Sequence, residues 1–270
     1  MPLLMLLHGC DQQAEEFVDG TRFTSVADRH GIVLVAPEQT FHHHPNRCWR
    51  WYEARNQERG RGEPAALAGL ATAMVEDRTR WRIDPRRVYV AGLSAGGAMA
   101  LVLAVTYPDL FAGVGLHSAP PYRSAAGAAG AFAAMTARVP APRPVPGMSP
   151  LPPAVIVQGM ADRVVAPENG TRVAAQWLAF QGAGPLRSTT GSGRSGDGRG
   201  YRSVRWFARR GRAVLQLWLV DDLGHAWSGG RPGASYSDPV GPRAATLMWR
   251  FLRRQRLVRR GARPLPVAGA

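Results

Sequence analysis

The sequence predicts an α/β fold: a mainly parallel sheet, doubly wound, with helices on both faces. Two observations carry that expectation. Short apolar runs alternate with helical patterns along nearly the whole chain, which is the signature of strand-helix-strand units. No shift in composition divides the 270 residues into two cores, and that length suits one large domain.

The elements follow in order. Residues 3–7 form a short apolar strand, and residues 8–20 read as a polar loop. Residues 21–30 read as a helix with Phe23, Val26 and Ala27 on one face, ended by Gly31. Residues 32–36 are apolar throughout, as a strand buried on both faces is. Residues 37–62 are a long loop rich in His, Arg and aromatics, a length usually kept for function.

A helix is expected over 63–81, a turn over 82–87 and a strand over 88–91. The helix at 97–106 is stopped by Tyr107-Pro108, and a strand follows at 111–117. Residues 118–153 are rich in Ala, Gly and Pro, with one weak helix near 128–137 and then a Pro-rich linker. Residues 154–158 read as a strand, 169–180 as a helix and 182–200 as a low-complexity, mobile surface loop. Strands at 201–207 and 213–220 flank a basic turn, and 242–257 is a basic amphipathic helix. The expected organisation is one domain over 1–257 and a basic, disordered tail over 258–270.

Composition narrows the class. With 45% hydrophobic residues the chain can fill a sizeable core, and no apolar run reaches the ~18–20 residues of a membrane span. The N-terminal Met1-Pro-Leu-Leu-Met-Leu-Leu7 has no basic start and reads as a strand, not a signal peptide. The net charge is +15, and all 34 basic residues are Arg. Arginines cluster at 202–212 and 250–263, which raises a nucleic-acid surface as a reading, but no nucleic-acid-binding motif accompanies them. Solvated faces and a basic tail account for them, so no nucleic-acid partner is expected. The two cysteines, Cys10 and Cys48, cannot make a structural zinc site alone; their spacing leaves both pairing and free thiols open.

Chemistry centres on Gly92-Leu93-Ser94-Ala95-Gly96, a G-x-S-x-G set between an apolar strand and a small-residue helix. A sharp turn there lifts the Ser94 hydroxyl above the sheet edge, and the Ala95 N–H at the helix start faces any oxyanion formed. A serine needs a base, and the base needs an orienting acid. Asp162 lies in the exit loop of the strand ending at Gln158, and His225 follows the last strand, giving the order Ser, acid, His. Asp221 and Asp222 sit too close to His225, and Asp109 reads as a turn or cap. His30 ends a helix, the three His of 42–44 lack a ligand geometry, and His117 lines the pocket at most. No metal or cofactor is expected. The loop His8-Gly-Cys-Asp11 offers the Cys10 N–H as second oxyanion donor, each such donor supplying roughly 3 kcal/mol in the transition state.

With these residues in place the chain resembles the polyhydroxybutyrate depolymerase esterases, a group that includes feruloyl and acetylxylan esterases. The matching pieces are Leu7-His-Gly-Cys-Asp-Gln12, Cys48-Trp-Arg-Trp51, Gly92-Leu-Ser-Ala-Gly-Gly-Ala-Met99, Gln158-Gly-Met-Ala-Asp162 and Gly224-His-Ala-Trp-Ser-Gly-Gly230. The resemblance implies an α/β-hydrolase fold, the triad Ser94, Asp162 and His225, and a serine esterase acting on hydroxyalkanoate oligomers or other soluble esters. It implies a Cys10–Cys48 disulfide and, with it, an oxidising, extracellular or periplasmic compartment. It also suggests Trp49, Trp51 and Trp227 as walls of the substrate cleft, with core or loop-anchoring roles as the alternative. Such esterases usually begin with a further β-hairpin, which is missing here, so the first strand is expected to lack a neighbour on one side. Acyl transfer to an alcohol in place of water is the alternative chemistry on the same scaffold. Which ester is taken and how many copies assemble are not legible.

Overall fold

A computed structural model describes residues 1–138, 151–180, 186–195, 198–208 and 211–257. The centre is an eight-stranded sheet. In chain order its strands are β1 (Leu3–Leu7), β2 (Val33–Val35), β3 (Val88–Leu93), β4 (Gly113–His117), β5 (Ala154–Gly159), β6 (Arg187–Arg194), β7 (Gly200–Phe207) and β8 (Ala213–Val220). They lie side by side as β2-β1-β3-β4-β5-β8-β7-β6. The six from β2 to β8 are parallel, and β7 and β6 add on antiparallel.

Among the described residues there are seven α-helices: α1 (Ala14–Thr21), α2 (Phe23–His30), α3 (Gly62–Glu76), α4 (Ala95–Thr106), α5 (Gly127–Met135), α6 (Glu168–Phe180) and α7 (Ala244–Leu252). All five residues of β1 are fully buried. The strand period of two splits them: Leu3, Met5 and Leu7 join the core under α3, α4 and α6, while Leu4 and Leu6 join the core under α1, α2 and α7. This two-sided burial explains why such strands are apolar at every position. The fold is the expected α/β-hydrolase architecture.

Three expectations need correction. β1 is not short of a neighbour: it pairs in parallel with β2 on one side and β3 on the other, and the three-residue β2 is the edge. The polar stretch 8–20 holds a helix, α1, because Phe17 is buried edge-on against Trp227 at 5.7 Å and anchors a turn with no other large apolar residue. Arg22, at φ 62°, ends α1 and opens α2. The stretch 182–200 contains β6, which pairs with β7 over eight residues from Arg187↔Phe207 to Arg194↔Gly200. Every β6 residue is exposed, so no alternation marks it in the sequence.

Smaller shifts occur at element ends. α3 stops at Glu76, where Asp77 Oδ1 accepts from the Thr79 hydroxyl and the Arg80 N–H in a local turn that competes with the helix. α7 spans nine residues, not the longer stretch expected. The Pro-rich linker after α5 and the tail 258–270 lie outside the described residues. Among the described residues no helix is long and apolar enough to cross a membrane.

The loop 37–62 is ordered by polar contacts. Glu63 accepts from the Arg50 backbone N–H at 2.8 Å and from Gln39 Nε2 at 2.6 Å. Asn56 bridges the Arg50 carbonyl and the Glu63 N–H. Cys48 is bonded to Cys10, with Cα atoms 4.3 Å apart at a sequence separation of 38. A cross-link over that span contributes roughly 2–4 kcal/mol by restricting the unfolded chain. The Cys10→Ala/Cys48→Ala variant is therefore expected to unfold about 2–4 kcal/mol less stable than wild type in urea, with a steeper slope because its freed unfolded chain exposes more surface. Coincident wild-type and variant curves would contradict this.

Candidate active site

Each candidate residue stands at the C-terminal end of a parallel strand, where such sheets gather their chemistry. Ser94 directly follows β3 and precedes α4. It holds φ 56° and ψ −121°, a region costly for a non-glycine residue, and its N–H donates to the His117 carbonyl at 2.9 Å. The glycines around it are required by space. A Cβ on Gly92 would overlap the Gly96 backbone, and one on Gly96 would overlap the Leu7 and His8 carbonyls. Strand β1, the turn and α4 meet backbone to backbone.

Asp162, in the loop after β5, is fully buried in its side chain. Its Oδ1 accepts from the N–H groups of Val164 and Val165 at 2.9 and 2.8 Å, and its Oδ2 accepts from His225 Nδ1 at 2.9 Å. Burial works against the carboxylate, but the bond from His225 and the two backbone donors outweigh it and hold the acid below its ordinary value. Asp162 is thus an ionised anchor that fixes the imidazole with Nδ1 as donor, leaving Nε2 for chemistry. Ser94 and His225 line one cleft of about 180 Å³, with Gly9, Cys10, Gln12, Met135, Val164 and Tyr236 among its other walls.

The loop after β1 crosses above Ser94. The Gly9 N–H donates to Gln12 Oε1 at 2.9 Å, and the Asp11 N–H donates to the Asn46 carbonyl at 2.7 Å. The Cys10 N–H between them makes no hydrogen bond among the described residues. Ala95 occupies the first position of α4, where helix geometry leaves the N–H without an intrahelical acceptor. Neither of the two N–H groups proposed from the sequence has an acceptor among the described residues.

The aromatic walls suggested from the sequence are elsewhere. Trp49, Trp51 and Trp227 are at most 5% exposed and none lines the cleft. Trp49 Nε1 donates to the His8 carbonyl at 3.1 Å, securing the loop that carries Cys10. Trp51 packs edge-on against Tyr52, and Trp227 is enclosed by Phe17, Phe23 and His117. His117 does not reach substrate space either, being fully buried. Its Nε2 accepts from the Ser228 N–H at 3.1 Å, and its ring stacks on Trp227 at 5.1 Å. Burial, with the nearby His225 adding to it, pushes its pKa down to about 3.

Residues that sequence reasoning missed stand in their place. Tyr236, at φ 47°, sets its ring edge-on to His225 at 6.1 Å and lines the cleft. It is brought there by Gln12, whose Nε2 donates to the Ser235 carbonyl at 3.1 Å. Gln12 stood in a quoted motif, whereas nothing in the local sequence marks Tyr236. Among the described residues no group of His, Cys, Asp and Glu side chains is arranged to hold a metal.

Comparison with known proteins identifies the family. The family model described as esterase PHB depolymerase matches residues 1–203. A poly(3-hydroxyalkanoate) depolymerase C from Paucimonas lemoignei is 29% identical over 234 residues, covering 83% of this chain and 54% of that protein. A feruloyl esterase B from Neurospora crassa is 33% identical over 131 residues, 48% of this chain and 42% of that protein. The chain thus spans about half the length of the curated relatives it matches. The solved acetyl xylan esterase from Aspergillus awamori superposes with a TM-score of 0.67 at 19% identity, covering 83% of each chain, and shares the fold.

Two predictions follow from the geometry. In Gly96→Ala the new methyl meets backbone that cannot move independently, so a loss of about 2–3 kcal/mol or more is expected in urea unfolding. Wild-type stability in that variant would refute the close approach. The second concerns pH. The unfolded His117 imidazole takes a proton near its ordinary 6.5, whereas the folded ring stays neutral until about 3. Between those values the unfolded state binds the extra proton, so stability falls with falling pH by about 1.4 kcal/mol per unit from this group. His117→Gln retains an acceptor for the Ser228 N–H but cannot titrate, so its stability is expected to fall less steeply between about pH 6 and 4. Parallel pH profiles would contradict the assignment.

Proposed function

The chain belongs to the esterase PHB depolymerase family, and from that premise we propose that it is a serine carboxylic-ester hydrolase using Ser94, His225 and Asp162. The observation that carries the reading is the buried Asp162–His225 hydrogen bond, which fixes an imidazole in the same cleft as a strained serine.

In the reaction Ser94 Oγ attacks the ester carbonyl carbon while His225 Nε2 takes its proton. The N–H groups of Cys10 and Ala95 receive the developing oxyanion. Asp162 stays ionised and stabilises the imidazolium through Nδ1. Collapse expels the alcohol, which leaves with the proton from His225 and gives an acyl-enzyme. Water, activated by His225, attacks that ester, and the acid departs as Ser94 regains its proton.

Relatives named as depolymerases and as feruloyl esterases support an ester substrate, and we place hydroxyalkanoate oligomers or other soluble esters first. The Cys10–Cys48 disulfide supports a working site in an oxidising compartment outside the cytoplasm.

Initial rates on a short-chain nitrophenyl ester test the proposal. Ser94→Ala and His225→Ala are expected to lose about 10³-fold or more in kcat, and Asp162→Asn about 10³- to 10⁴-fold, through loss of the correct tautomer. A Ser94→Ala enzyme as fast as wild type sinks the mechanism. The same assay across hydroxybutyrate oligomers, feruloyl esters and acetyl esters ranks the substrate class.

A further inference from the structure

The N-terminal ends of the strands, opposite the ester cleft, carry a second cleft of about 300 Å³ lined by His30, Arg87, Trp249, Arg253 and Arg254. That volume lies at the lower end of small-molecule sites (~300–1,000 Å³). Three elements build it: the C-terminal residue of α2, the residue preceding β3, and the last turn of α7 with the two residues after it. Its lining residues are three arginines, a histidine and a tryptophan, with no carboxylate among them. Among the described residues Arg87, Arg253 and Arg254 make no ion pair. The nearby Asp84 is engaged with Arg256 at 3.2 Å.

Two donors of residues beside this cleft are buried and unanswered. Trp249 is 2% exposed, and its Nε1 has no hydrogen-bond acceptor. Arg87 Nε is equally buried and equally without a partner. Native proteins leave few such groups, and each calls for a reason. Trp249 is held in place by His30 at 5.8 Å and by Tyr89 edge-on at 5.9 Å, so its ring cannot easily turn its N–H elsewhere. The C-terminal ends of α2 and α7 account for some positive charge here, since basic residues complement helix carbonyls. They do not account for the two orphaned donors, which are not satisfied by those carbonyls.

We propose that this cleft is a binding site for a small dianionic oxyanion of the phosphate class, held by Arg87, Arg253 and Arg254 beside the Trp249 ring. Guanidinium forks match the paired oxygens of such an anion. The cleft exceeds a bare phosphate in size, so a phosphate monoester also fits, its organic part lying against the rings of His30 and Trp249.

The test uses the full chain with ¹⁵N-labelled tryptophan, the Trp249 indole resonance being assigned from Trp249→Phe. Inorganic phosphate and glycerol phosphate are titrated in parallel at constant ionic strength, balanced with chloride. A saturable shift confined to the Trp249 resonance is expected, with affinity weakened roughly tenfold or more in Arg253→Ala/Arg254→Ala. Both substituted residues are on the surface, and hydrolysis of the nitrophenyl ester by that variant should match wild type. Tighter binding of glycerol phosphate identifies the monoester as ligand class, and equal affinity identifies the free anion. No saturable shift with either compound, or an undiminished shift in the double variant, overturns the proposal without touching the esterase assignment.

Discussion

The Leu7 and His8 carbonyls press against the first turn of α4 so closely that no side chain fits at Gly96. Most of the ester site depends on this contact. It follows from the β1–β3 pairing, which sets Leu7 beside Gly92. With the two backbones fixed, the turn at Ser94 has little room to relax, which explains how a non-glycine residue keeps φ 56°. The same contact carries the chain leaving β1 over the serine, and a Cβ on Gly9 would be 3.6 Å from that of Ser94. Nucleophile and oxyanion loop are thus placed by one meeting of main chains. The disulfide, Trp49 and Gln12 then hold the loop against that framework.

Imidazoles perform the next level of fixing. His8 donates from Nδ1 to the Gly9 carbonyl at 2.7 Å and accepts the Gln39 N–H at Nε2, joining the exit of β1 to the aromatic loop. His117 joins the exit of β4 to the segment just beyond His225. Both bridges need a ring with one donor and one acceptor, which is the neutral form, and burial lowers the pKa of both. His225 differs in its partner and its exposure: it faces a carboxylate on one side and the cleft on the other. Three histidines of one chemistry are therefore divided between scaffold and site by their surroundings.

The sequence was informative where structure is local. An apolar strand, a glycine turn and a reactive side chain form a unit of about ten residues, so Ser94, Asp162 and His225 could be placed at their strand exits. The tryptophans could not be sorted, because side-chain type does not reveal which face of a loop turns inward. Trp49 and Trp51 serve the loop's attachment, and the cleft walls come instead from Met135, Val164 and Tyr236. Tyr236 is legible only through a bond between residues 12 and 235. β6 was hidden for a related reason. Arg-Ser-Thr-Thr-Gly-Ser-Gly-Arg has no apolar face, and what makes it a strand is the ladder offered by β7.

Parallel strands give the molecule two unlike ends. All strand exits from β1, β3, β5 and β8 converge on one edge, so the loops that carry reacting groups accumulate there. The opposite end receives strand entries and helix ends, and its arginines are not drawn into that chemistry. β3 connects the two directly, with Arg87 before its first residue and Ser94 after its last. Six buried strand residues at about 3.3 Å each separate them by roughly 20 Å. The residues between Arg87 and Ser94 are buried along the whole strand, so neither cleft opens into the other. The sheet that places the catalytic groups so closely also keeps its two ends a strand's length apart.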